Sequence, residues 1–226
     1  GIEKDTLLLP TQIINDVLGS HIKTAVLAGP SYAQKVVAQE ITAVTLAAPD
    51  CTPGYELQKV LANNYFRPYV STDMIGVQVG AALKNVITLG IGMLNGAGYS
   101  DNTKAFLFSR GLQEMVQLCV AMGGRQETMY GLSGVGDLVL TSMGTLSKNL
   151  QIGKLLGAGG SLETILEKTG YIPEGINTVQ SVHQLMRAYN VQLPISHGIY
   201  EVIFKHKTIK SMLQELMAHP LDWECH

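Results

Sequence analysis

The chain has 226 residues, 46% of them apolar and 15% charged, with a net charge of -2. That length buries roughly 70% of the unfolded surface, and the composition excludes disorder. The near-neutral charge offers no basic field for nucleic acid or an anionic membrane surface. Cys51, Cys119 and Cys225 are widely spaced with no CxxC pair. This argues against a disulfide framework or a thiolate zinc site and for a reducing compartment. The six histidines form no HExxH or HxxxH pattern, so no metal centre is expected. The opening residues do not read as a secretory signal.

In chain order, three short apolar runs come first: Thr24–Ala28, Thr42–Ala48 and Phe66–Ser71. Each predicts a strand, and Ser31–Gln39 and Tyr55–Asn63 between them predict short helices. Alternating strands and helices imply a parallel α/β sheet. A doubly wound sheet usually holds about six strands. Residues 1–72 therefore read as the closing part of a larger α/β domain.

From Asp73 onward helix signals dominate, and residues 73–226 are expected to form an all-helical domain. Asp73 is placed to cap a helix running to about Leu94. Asp101 or Asn102 opens a second, stopped by Gly123-Gly124. Ser161 precedes Leu162–Lys168, which ends at Gly170. Pro173 opens a helix through Tyr189, with Asn190 as a left-handed stop. A last helical stretch covers about His197–Met217, broken near Lys207, and Pro220 prevents its continuation. Between Met74 and Ser100 the only charged residue is Lys84. Gln78, Asn85, Thr88 and Asn95 interrupt the run before it reaches the roughly 18 apolar residues of a membrane span. A buried core helix is expected.

Three places offer chemistry. On a helical wheel Lys84 shares a face with Val77, Gly80, Ala81, Thr88 and Ile91. Desolvation there suits proton transfer near neutral pH. The alternative is a lysine that reaches the surface or sits in a structural ion pair, and spacing alone favours that one. Gly76, Gly80, Gly90 and Gly92 lie in the same helix at a cost of about 1 kcal/mol each, so something must approach closely to offset them. The second place is Gly131–Asn149, Gly-rich, with Asp137 as its single acid and Lys84 as the obvious counter-ion. Its Gly131-x-x-Gly134-x-Gly136 spacing fits neither nucleotide fingerprint. The third is Gly29-Pro30-Ser31, a strand-to-helix turn where Ser31 either caps the helix or helps hold an anion.

Six ordered motifs then stand together: AGPSYA (Ala28–Ala33), IGVQVGAALKNV (Ile75–Val86), DNTKAFLFSRGLQEM (Asp101–Met115), GLSGVGDLVLT (Gly131–Thr141), LSKN (Leu146–Asn149) and PEG (Pro173–Gly175), after an opening GIEKDT. In this combination the chain resembles the bacterial-type NAD(P)-dependent glycerol-3-phosphate dehydrogenases from Gly1 to about Gly198. The resemblance implies a Rossmann-type domain followed by a helical domain of the 6-phosphogluconate-dehydrogenase-like kind. It implies hydride transfer between NAD(P)H and dihydroxyacetone phosphate, which gives sn-glycerol 3-phosphate for phospholipid synthesis in the cytoplasm. The partner is a small phosphorylated triose or glycerol, the cofactor NAD or NADP, and a homodimer is allowed.

Roles follow from the same resemblance. Lys84 is implied as proton donor and acceptor, Asn85 as its orienting neighbour, and Asp137 as the group that positions Lys84. Gly29, Ser31, Thr141, Ser147, Lys148 and Asn149 are implied to contact substrate. Ala33, Lys148, Ile172 and Glu174 are implied to approach the cofactor. Two departures stand out. The family usually carries Arg where this chain has Lys148, which keeps the charge but loses the bidentate fork. No GxGxxG follows a strand. The rival readings are another β-hydroxyacid-dehydrogenase-like oxidoreductase, or a non-catalytic piece with only a binding or oligomerisation role.

Overall fold

The computed structural model describes residues 1–218. Pro220 and Cys225 lie outside the described residues. The three strands form where expected: β1 (Val26–Ala28), β2 (Thr42–Ala47) and β3 (Phe66–Ser71), in the order β1-β2-β3. β2 and β3 are parallel, Thr42 facing Phe66 and Ala47 facing Ser71. β1 corrects the all-parallel expectation, because it runs antiparallel to β2, with Val26 opposite Ala47. The connection holds only the five-residue helix α2 (Ala33–Val37), about 7.5 Å long at 1.5 Å per residue. That is too short for the return along the sheet that a parallel crossover requires. Helix α3 (Cys51–Leu61) joins β2 to β3, and Gly54 lets it lie against Val70.

Before the sheet, α1 (Pro10–Leu18) was not foreseen from the sequence; it buries none of its residues. The segment leading into it is anchored by Ile2 and Leu9, both in the core. Thr11 N–H donates to Gln78 Oε1 at 3.0 Å.

The helical body is built on α4 (Met74–Gly96). Asp73 caps it as predicted, accepting from Gly76 N–H at 2.8 Å. Its other carboxylate oxygen takes Arg125 N–H at 2.9 Å and the Thr128 hydroxyl at 2.6 Å. By length and composition α4 could cross a membrane, yet most of it is buried inside the protein. Around it pack α5 (Asp101–Ala121), α6 (Gln126–Met129), α7 (Asp137–Met143), α8 (Lys148–Gly157), α10 (Glu174–Ala188) and α11 (Pro194–Phe204), while α9 (Leu162–Thr169) lies against α8 and α12 (Ile209–Ala218) against α11.

The glycines of α4 have the steric reason the sequence demanded. A Cβ on Gly92 would sit 2.5 Å from the Leu150 carbonyl and 2.9 Å from Gly153 Cα, so α8 crosses in near backbone contact. Ser161 caps α9, and Gly170 and Asn190 take the left-handed conformations expected of them. The last stretch divides into α11 and α12, with His206 at positive φ in the break. Glu114, buried, fixes the start of α11: it accepts from Ile195 N–H at 2.5 Å, Ser196 N–H at 2.9 Å and the Ser196 hydroxyl at 2.7 Å.

Candidate active site

One pocket of about 220 Å³ opens where the strand-end turn meets the helical body. Its lining includes Gly29, Ser31, Lys84, Asn85, Asp137, Thr141, Ser147, Lys148 and Asn149. The volume is below that of a drug-sized site and suits a small metabolite.

The Gly-rich segment is helical. Leu132–Gly136 forms a π-helical turn that runs directly into α7. Gly80 makes room for it, since a Cβ there would lie 2.6 Å from the Ser133 carbonyl. Such turns cluster at functional sites; this one sets Asp137 at the first position of α7, pointing back to α4. There its carboxylate forms the expected ion pair with Lys84. Asp137 is 5% exposed and Lys84 18%, so the carboxylate is buried and the ammonium faces the pocket.

Burial raises the Asp137 carboxyl above its ordinary value. The charge and hydrogen bond of Lys84 and the Thr141 hydroxyl pull it down, and Glu174 adds a small upward push. Thr141 reaches Asp137 twice, at 2.7 Å to its carbonyl and 3.3 Å to its carboxylate.

Next to Lys84, Asn85 belongs to a buried relay. Asn149 Nδ2 donates to Asn85 Oδ1 at 2.9 Å, and Gly175 N–H donates to Asn149 Oδ1 at 3.0 Å. A Cβ on Gly175 would lie 2.6 Å from that Asn149 oxygen, so glycine is required at the start of α10. Ser147 caps α8 by accepting Leu150 N–H at 3.2 Å, which brings Lys148 and Asn149 to the pocket. Among the described residues Lys148 has no carboxylate partner; its ammonium lies 4.6 Å from the centre of the Tyr171 ring. A cation so placed keeps its charge available to an incoming anion.

Ala33, Ile172 and Glu174 do not line the pocket. Ala33 begins α2, Ile172 is 57% exposed, and the Glu174 side chain is half exposed. Conversely, the lining includes Tyr32, Leu140 and Leu146, which sequence reasoning passed over. Adjacency to Ser31 on a strand-end turn was the available signal for Tyr32; the two leucines read as ordinary core.

The strand-end turn of a small α/β sheet thus meets a helical body that carries a buried lysine–carboxylate pair. Family models say which class of protein shares this build. The model described as NAD-dependent glycerol-3-phosphate dehydrogenase C-terminus matches residues 73–214, and that described as the N-terminus matches residues 1–52. The chain belongs to the NAD-dependent glycerol-3-phosphate dehydrogenase family.

Among curated relatives, the glycerol-3-phosphate dehydrogenase [NAD(P)+] of Lactiplantibacillus plantarum is 40% identical over 96% of this chain and 65% of its own length. That of Bacillus pumilus is 42% identical over 96% and 64%. The chain thus spans slightly less than two thirds of these relatives. Among solved structures, glycerol-3-phosphate dehydrogenase from Coxiella burnetii superposes with a TM-score of 0.90 at 32% identity, covering 97% of this chain and 67% of that one.

Proposed function

We propose that the pocket binds glycerol 3-phosphate and dihydroxyacetone phosphate and carries the proton-transfer half of their interconversion. The observation that carries this reading is the pairing, in one small pocket, of two cations of different standing. Lys84 is tied to a buried carboxylate, whereas Lys148 faces the pocket and, among the described residues, has an aromatic ring and no carboxylate beside it. The first arrangement suits a proton donor and acceptor, the second a phosphate.

Lys84 holds a proton at Nζ and delivers it to the carbonyl oxygen of the ketone, or accepts it from the alcohol. Asp137 keeps the ammonium aimed into the pocket, and Thr141 holds Asp137. Asn85, fixed through Asn149, orients the substrate oxygen. The first turn of α8, with Ser147, Lys148 and Asn149, takes the phosphate end through its N–H groups and the Lys148 charge. Gly29 and Ser31 close the opposite wall.

A nicotinamide cofactor, NAD or NADP, supplies or takes the hydride when bound. The reading assigns its nicotinamide side to Ile172, an uncovered apolar side chain, to Glu174, a half-exposed carboxylate, and to Ala33 at the start of α2. The division we propose falls at Thr72/Asp73, where the α4 cap begins the helical domain and the C-terminal family model starts. A cytoplasmic setting belongs to the same reading and is consistent with Cys51 and Cys119 being free thiols.

Calorimetry of the chain with sn-glycerol 3-phosphate, glycerol and inorganic phosphate tests the reading. Saturable binding of glycerol phosphate that is tighter than that of either fragment supports it. Equal binding of phosphate and glycerol phosphate would reduce the pocket to an anion site.

A further inference from the structure

Tyr32 has no part in the roles described so far, yet it stands between the two walls of the pocket. It follows Ser31 immediately before α2 and is only partly exposed. Its hydroxyl donates to the Leu140 carbonyl in α7 at 3.1 Å. That carbonyl also accepts Gly144 N–H at 2.8 Å, so it closes the last turn of the helix and meets the strand-end turn at once.

The opposite surface is shaped for the ring. A Cβ on Gly144 would lie 2.5 Å from the Tyr32 hydroxyl oxygen and 2.9 Å from ring Cε2. Gly144 has φ -79° and ψ 132°, a conformation open to any residue. Glycine is needed there for space: for the ring and for the carbonyl that the ring's hydroxyl bonds. Burial, and then the Asp137 charge, push the phenol above its ordinary value, so it remains a donor.

We infer that Tyr32 is a positioning residue of the Lys84–Asp137 site, pinning α7 to the strand-end turn through the Leu140 carbonyl and thereby fixing Asp137 and Thr141 against Gly29 and Ser31. The inference rests on the glycerol-phosphate reading of the pocket for its effect on ligand. Its effect on α7 is independent of that reading.

Tyr32→Phe keeps the ring and removes the tie. The Leu140 carbonyl retains Gly144 N–H, so no acceptor is orphaned and folding is expected to survive. Amide exchange in residues 137–144 should quicken by about fivefold, the worth of one neutral hydrogen bond, while the remaining helices keep their protection. Affinity for sn-glycerol 3-phosphate should fall by a similar factor of about five, with Tm lowered by no more than about 4 °C.

Gly144→Ala, which crowds the ring without removing it, should move the same two readouts in the same direction. Unchanged exchange in residues 137–144 of both variants would overturn the inference. So would unchanged affinity in Tyr32→Phe beside a parent chain that binds glycerol phosphate. If the parent takes up no glycerol phosphate, the reading of the pocket fails by itself, and the exchange measurement alone decides whether Tyr32 holds α7.

Discussion

Lys84→Met removes the cation of the buried pair and leaves the Asp137 carboxylate, 5% exposed, without its counter-charge. Breaking a buried pair from one side costs about 3–5 kcal/mol. Lys84 retains 18% exposure and the Thr141 hydroxyl still bonds the carboxylate, so the lower end, about 3 kcal/mol, applies at alkaline pH. In a chain of this size that lowers Tm by roughly 6–12 °C.

The cost depends on pH. Burial raises Asp137 and Lys84 opposes the rise, so removing the lysine raises the carboxyl further. An acid whose folded value lies above its unfolded value keeps its proton in the native state after the unfolded chain has released it. The native state then binds more protons, and stability falls as pH increases through that window. The variant should therefore sit furthest below the parent at alkaline pH and approach it as pH falls and Asp137 becomes a neutral acid. Thermal unfolding followed by circular dichroism as a function of pH is the assay. A gap between parent and variant that stays constant with pH would refute the idea that the pair is mutually dependent and shielded from water.

Other perturbations reach different parts of the account. Lys148→Ala should weaken sn-glycerol 3-phosphate binding roughly 10- to 100-fold, the loss of one charge-assisted hydrogen bond of about 1.5–3 kcal/mol. Lys148→Arg should preserve or improve it; an alanine variant with parental affinity would mean the phosphate is held elsewhere. Gly92→Ala pushes a methyl group into the Leu150 carbonyl and Gly153 Cα, backbone that cannot rotate away. A loss of about 3 kcal/mol in denaturant unfolding is expected, and a neutral result would show that α4 and α8 separate easily. Burial raises the Glu114 carboxyl from 4.5 to about 7 against the hydrogen bonds of Ser196 and Ile195. Parent stability should thus decline as pH rises from 4.5 to about 7, and Glu114→Gln should flatten that slope. An identical slope in the variant would remove Glu114 as its source.

Much of the helical half could be read from local chemistry. Asp73, Ser161, Gly170 and Asn190 are caps and stops whose roles depend on their own backbone and side-chain bonds, and each acts as its type dictates. The α4 glycines announced close neighbours without naming them: α8 supplied one at Gly92, the π-helical turn one at Gly80, and Ile199 of α11 one at Gly90. The direction of β1 was not legible, because a strand's own pattern carries no information about its partner's sense. Helix α1 was legible and was passed over: Pro10 opens it, and Ile13, Ile14, Val17 and Leu18 recur at helical spacing. The π-helical turn was not legible, since glycines chosen for close packing resemble glycines chosen for turns; Gly134 lies against the Met129 carbonyl.

At the site, the Lys84–Asp137 pair followed from simple electrostatics, as one buried acid needs one cation. Ala33, Ile172 and Glu174 came only from resemblance, and they lie outside the pocket lining. Tyr32 was missed because a single aromatic residue after a turn reads as packing, and its hydroxyl's partner lies 108 residues away.

The most direct test of the central claim is a crystal structure of the chain with sn-glycerol 3-phosphate. The account predicts the C2 oxygen within about 2.6–3.2 Å of Lys84 Nζ, hydrogen-bonding reach for proton transfer. It places the phosphate on the first turn of α8, beside Lys148 and Asn149. A ligand bound in the reverse sense, with its phosphate on Lys84, or one bound outside this pocket, would contradict it.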